Sequence, residues 1–184
     1  DDDDEDNDGI LDDDDEDFDN DGIDDEDEGT AGIYSYGNGA ALLIGGSDDI
    51  VVGVLPQGSN VNSDVLTGRY SLLIEGTVSG TATFGRTDAY GLVLGGEGGN
   101  VSLPGGIGIS GSVRASTADS AATALLVNAG TTATRIDNSG TIQADIRSQG
   151  EGAAYAIRDF SGSLTTIENS GFITATGSST DIVR

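Results

Sequence analysis

The chain has 184 residues, a formal net charge of −26, and no Cys, His, Met, Trp or Lys. Without His and Cys it lacks the parts of nucleophile–base triads and zinc sites, and no disulfide can staple it. The acidity disfavours nucleic acid and anionic membrane surfaces as partners, and no apolar run of the ~18 residues needed for a membrane span is present.

The first thirty residues carry 20 of the 33 acidic side chains and no basic one. Within them DEDNDGILDDDD (4–15) and DFDNDGIDDEDE (17–28) align at a 13-residue offset. Both read D-x-D-x-D-G-I-x-D-x-x-[DE]. Alternating carboxylates, a Gly at position six and a closing acid at position twelve build the oxygen cage that a hard cation such as Ca²⁺ requires. The expected ligands of the first loop are Asp4, Asp6, Asp8, the Ile10 carbonyl, Asp12 and Asp15. Those of the second are Asp17, Asp19, Asp21, the Ile23 carbonyl, Asp25 and Glu28. Gly9 and Gly22 suit the sharp turn in each. The tandem period leaves no room for the flanking helices of a helix–loop–helix hand.

The segment 4–28 resembles thrombospondin type 3 repeats, short helix-free calcium loops strung in series, although it lacks the Cys that many members carry. Asp2 falls where the closing acid of an earlier loop would sit, so the array is expected to be cut at its start. The alternative is a disordered, solvated acidic tail, because blocks of like charge repel.

Residues 31–184 are nearly balanced by comparison, with 13 acids against 7 Arg, and contain 27 Gly. That is long enough for one domain with a real core. The absence of an initiating Met and of a signal peptide predicts a mature product or a fragment. At 43–46 and 93–96, LIGG and VLGG align at an offset of 50, as do Val51 and Val101. One long coil with an insertion at 55–70 fits this spacing and marks a place for a lateral bump or binding loop.

From there a repeat sets the fold. GTVSG (76–80), GSVRA (111–115), GTIQA (140–144) and GFITA (171–175) recur at offsets of 35, 29 and 31. AYGLVL (89–94), ATALLV (122–127) and AYAIRD (154–159) recur at 33 and 32. Periods of about 20–50 residues mean solenoids or arrays. The units are short, apolar at alternate positions and divided by Gly, Asn, Ser and Asp, which is the signature of strands.

The expected fold class is therefore all-β: a parallel β-helix, or solenoid, over 31–184, preceded by irregular calcium-binding loops over 1–30. Three strands and three turns make each coil. Its inward columns are Leu92–Leu125–Ile157, Leu72–Ile107–Ile136–Ile167 and Val78–Val113–Ile142–Ile173, with Ala89, Ala122 and Ala154 at tight corners. In the matched turns IDNSGTI and IENSGFI, Asn138 and Asn169 either form a hydrogen-bonded ladder or simply supply turn chemistry.

SLLIEGTVSG (71–80), GGIGISGSVRAS (105–116) and the two NSG-(T/F)-I-(Q/T)-A turns resemble the passenger regions of autotransporter-like surface proteins of Gram-negative bacteria. The resemblance covers most of 40–178. It implies an extracellular or cell-surface location and a structural or adhesive role. Members usually end in an outer-membrane barrel, which nothing here resembles.

Weaker motifs remain. GGEGGNVSL (95–103) resembles a calcium nonapeptide only loosely, and a turn entering a strand explains it better. Asn100-Val-Ser is an N-glycosylation sequon. Asp48–Asp49, or Asp159 with Arg158, suggest a glycosidase pair or lyase groove, while the Arg residues, spread about one per coil, read as solvated surface.

The functional expectation is a non-enzymatic surface protein stiffened by Ca²⁺. With no readable cap at either end, it should self-associate head to tail into a fibre or layer. Surface glycans or a receptor are possible further partners. The alternatives are a carbohydrate-active β-helix enzyme fragment and a calcium-dependent spacer presenting another domain.

Overall fold

In the computed structural model the described residues are 31–54, 70–147, 152–177 and the strand at 182–183. All regular structure among them is β, with no helix. The chain divides into two units, Asp1–Gly32 and Ile33–Arg184, and the second is a parallel β-solenoid. It begins with β1 (Gly32–Tyr36), β2 (Ala40–Ile44), β3 (Ile50–Val51) and β4 (Leu72–Ile74). Next come β5 (Thr77–Ala82), β6 (Ala89–Leu94), β7 (Val101–Ser102) and β8 (Ile107–Ile109). The following coil holds β9 (Ser112–Thr117), β10 (Ala122–Val127), β11 (Thr131–Thr132) and β12 (Arg135–Asn138). Then β13 (Thr141–Ile146), β14 (Ala153–Asp159) and β15 (Thr166–Asn169) lead to β16 (Phe172–Thr176) and β17 (Ile182–Val183).

The coil has four walls, not the three expected from sequence. They run β1-β5-β9-β13-β16, β2-β6-β10-β14-β17, β3-β7-β11 and β4-β8-β12-β15. The unexpected wall is made of two-residue strands, too short to show alternation. Where β14 ends no such strand follows. Asp159 Oδ1 instead accepts from Ser161 N–H and Oγ, and Ala133 N–H donates to Ser163 Oγ at 3.0 Å.

Register follows the repeat. Val78, Val113, Ile142 and Ile173 pair in succession, as do Leu72, Ile107, Ile136 and Ile167. Leu92, Leu125 and Ile157 form the third column, which Leu42 extends. Ala89, Ala122 and Ala154 pair and are fully buried. One pairing differs from expectation: Ile50, not Val51, lies beside Val101, and Val51 faces Ser102. The corner before β3 (45–49) is one residue shorter than the corner before β7 (95–100).

The glycine that opens each repeat has a steric cause. A Cβ at Gly111 would lie 2.1 Å from Glu75 O, at Gly140 2.0 Å from Gly111 O, and at Gly171 2.1 Å from Gly140 O. At each of these corners two successive N–H groups share one carbonyl of the previous coil. Ser110 and Gly111 share Ile74 O, Ser139 and Gly140 share Ile109 O, and Ser170 and Gly171 share Asn138 O. The close approach excludes any side chain.

The core thins toward the ends. Ile142 is fully buried, yet Ile167, in the last strand of its wall, is 46 % exposed. At the other end Gly37 N–H donates to Thr81 O, in the relation that Ser112 N–H has to Gly76 O where Ser112 pairs with Thr77. That sets Ile33 at the head of the Val78 column, where it too is 46 % exposed.

Candidate functional site

The twelve expected calcium ligands, Asp4 to Glu28, all lie outside the described residues. So does the insertion at 55–69; only Tyr70 at its end is described. Among the described residues no cluster of three or more carboxylates is poised to hold a metal.

Asp48–Asp49 lies in the corner before β3 and Asp159 with Arg158 at the end of β14, so the two suggested groups do not combine into one site. Ile44, Leu94, Val127 and Asp159 pair in succession, so the corner holding Asp49 and the one following Asp159 are three coils apart. At ~4.8 Å per coil that is about 14 Å, beyond the separations used by glycosidase pairs. Each carboxylate has local work instead. The Asn100 backbone N–H and side-chain amide both donate to Asp49 Oδ1, at 2.8 and 2.9 Å, and hold its carboxyl below the usual range. At Asp159 burial works to raise the pKa. The Ser161 hydroxyl and the N–H groups of Ser161, Leu164 and Gly162 outweigh it, so this carboxyl also sits low. The GGEGGNVSL segment forms a turn entering β7.

Two Arg residues read as solvated surface are packed. The Arg158 guanidinium lies against two rings, 4.4 Å from the Tyr155 centroid and 4.5 Å from that of Phe160. Arg135 pairs with Asp137 at 3.2 Å and stacks 4.8 Å from the Tyr70 ring. The Tyr70 hydroxyl donates to Asp137 Oδ2 at 2.6 Å. Tyr70 and Asp137 are both buried, while Asp137 Oδ1 and Arg135 Nε are buried without hydrogen-bond partners. A Cβ at Gly108 would meet the Tyr70 ring at 2.8 Å, so the ring needs that glycine beneath it. This lock ties the end of the insertion to the wall containing β12.

The Asn turns resolve into both alternatives at once. Asn138 Nδ2 donates to Asn169 Oδ1 at 2.6 Å across the coils, and also lies 3.4 Å from Gly140 O within its own turn.

The corner between β5 and β6 forms an open polar recess. It runs from 83 to 88, against 37–39 in the coil before and 118–121 in the coil after. The longer turn overhangs the short one and leaves a pocket of about 360 Å³ lined by Asn38, Arg86, Thr87, Asp88 and Tyr90. The following coil grips the overhang. Asp119 Oδ1 accepts from Arg86 N–H at 2.6 Å, and Thr117 Oγ1 donates to Thr87 O at 2.7 Å. Asp88 Oδ1 accepts from Ser120 Oγ and Ala121 N–H. Arg86 is held at φ 60°, a conformation that side-chain-bearing residues rarely adopt. Tyr90 donates to Asp88 Oδ2 at 3.2 Å; burial first, then the Asp88 charge, raises the pKa of its hydroxyl.

Neither recess nor lock was visible in the sequence, because their members lie in different coils. Differing corner lengths between aligned repeats were the one available signal. Comparison with protein-family models, with curated proteins and with solved structures finds no match. Among the described residues no helix is long and apolar enough to cross a membrane.

Proposed function

We propose that this chain is a structural and adhesive element of a bacterial surface, in which Ca²⁺ stiffens the acidic segment and the solenoid serves as a self-associating rod. The observation that carries this reading is the state of the apolar columns at their ends. Ile33 and Ile167, the outermost described members of their columns at opposite ends, are both 46 % exposed. A second copy stacked end to end would continue the columns, and such heterologous contacts propagate into fibres when they do not close. The coil-by-coil register and the glycine-led corners support the likeness to autotransporter passengers. The separation and local engagement of Asp49 and Asp159 weigh toward a structural role over the enzyme alternative.

Calcium is the part of the reading that the in-phase acidic loops support. The twenty carboxylates of residues 1–30 repel one another unless neutralised, and the D-x-D-x-D-G spacing of the thrombospondin type 3-like loops supplies oxygens in the order Ca²⁺ takes them. Calorimetric titration of the full chain should find about two sites of micromolar to millimolar affinity. Asp17→Ala combined with Asp19→Ala should remove one of them. Unchanged stoichiometry and affinity in that double variant would sink the assignment.

A further inference from the structure

The overhanging corner has the features of a binding site rather than of a simple turn. It is longer than the corner stacked on either side of it, 37–39 and 118–121, and four hydrogen bonds with Thr117, Asp119, Ser120 and Ala121 fix it from the side of the following coil. The other side opens over the short corner at 37–39. Backbone held in a sparsely populated region persists only where its surroundings over-determine it, and such places cluster at ligand clamps. Arg86 meets that description. Its backbone N–H is used by Asp119, whereas its guanidinium has no hydrogen bond or ion pair among the described residues. The Asn38 side-chain amide is likewise unspent there.

The chemistry of the lining narrows the ligand. Arg86 presents a planar fork of donors that matches a carboxylate in bidentate fashion. Asp88 stands in the same recess, and two of its hydrogen bonds come from the backbone and hydroxyl beneath it. Asp88 Oδ2 accepts from Tyr90 alone, and a carboxylate oxygen has capacity for another donor. A compact dianion such as phosphate would be repelled by Asp88. A monoanion that also carries hydroxyl donors satisfies both residues. Asn38 adds an amide able to give and take hydrogen bonds, and the half-buried Tyr90 adds a ring edge. The volume lies at the small end of ligand pockets.

We propose that the recess formed by Asn38, Arg86, Thr87, Asp88 and Tyr90 binds an acidic sugar residue, with its carboxylate on Arg86 and its hydroxyls on Asp88 and Asn38. The site deepens the adhesive part of the reading above and needs neither the calcium loops nor subunit contacts. Its test is therefore made on the full chain in chelator, where failure of assembly or of calcium binding has no influence.

Glucuronate is titrated against ¹⁵N-labelled protein, with glucose as the neutral counterpart. Saturable shifts should appear in the amides of Arg86, Thr87, Asp88, Tyr90 and Asn38, and glucose should bind at least tenfold more weakly. Arg86→Gln keeps the backbone N–H that Asp119 accepts from, and should weaken glucuronate binding about tenfold or more, as loss of a charge-assisted pair implies. Arg114→Gln, in β9 outside the recess, removes the same charge and should leave affinity unchanged. No saturable shifts, shifts centred elsewhere, equal binding of glucose, or equal loss in Arg114→Gln would each overturn the proposal. The shift map on the unaltered chain decides the matter even if Arg86→Gln folds poorly.

Discussion

At the residue scale, Asn138 shows how one side chain serves both the turn and the stack. It is buried, donates to Asn169 Oδ1 in the next coil at 2.6 Å and lies within 3.3 Å of Phe172 O. Its partner Asn169 sits on the exposed last strand of that wall, where water can replace what is lost. The two substitutions should therefore differ although the turns are nearly identical. Asn138→Ala should cost about 1–3 kcal/mol, the usual penalty for breaking a buried hydrogen-bond set. Asn169→Ala should cost roughly 0.5 kcal/mol or less, as is usual at exposed sites. Thermal or urea unfolding of both variants reads the difference; both remove the Asn138–Asn169 bond, so equal losses would show that this shared bond, and not the burial of Asn138, sets the cost.

At the scale of the element, β13 alternates cleanly. Ile142, Ala144 and Ile146 are buried, and Thr141, Gln143 and Asp145 lie between them on the other face. Ile142 is flanked on both sides by column members, Val113 and Ile173. A carboxylate at that place has no partner and no water. Ile142→Asp should destabilise by on the order of 4 kcal/mol or more, combining lost apolar burial with an unpaired buried charge. Gln143→Ala should change stability by roughly 0.5 kcal/mol or less. Urea midpoints are the measurement; similar midpoints would mean that the register is wrong by one residue, since a slip of one exchanges the two faces. The same alternation made β5, β9, β13 and β16 legible in the sequence, and recurrence at 33 and 32 residues did so for β6, β10 and β14. Alternation failed for β3, β7 and β11, because two residues contain no period.

At the scale of the whole molecule, the proposed assembly would act through the outermost described strands of the solenoid. Strand β1 pairs only with β5, and β16 only with β13, so each has one edge without a strand partner among the described residues. Unpaired edges and exposed column ends are features that proteins normally cover. The proposed rod covers them with another copy. Light scattering and electron microscopy of the full chain in millimolar Ca²⁺ should show filaments, and chelator should shorten or loosen them. Ile167→Lys, which places a charge at an already exposed column end, should lower the assembled mass without lowering the melting temperature. Monodisperse particles of one mass with and without Ca²⁺ would remove the assembly reading.

The sequence by itself determined the class of fold, the register of its three apolar columns and the glycine that opens each repeat. A side-chain period of two, read against a repeat of about thirty residues, leaves one way to stack like on like. Only the tertiary structure decided the fourth wall and the step that sets Ile50 rather than Val51 beside Val101. It alone also brought Tyr70 onto Asp137, and raised the overhang that places Arg86 above the corner at Asn38. These features depend on the lengths of neighbouring corners and on side chains more than thirty residues apart. Stacking juxtaposes such residues through the backbone path of whole coils, and that path is written in no local pattern.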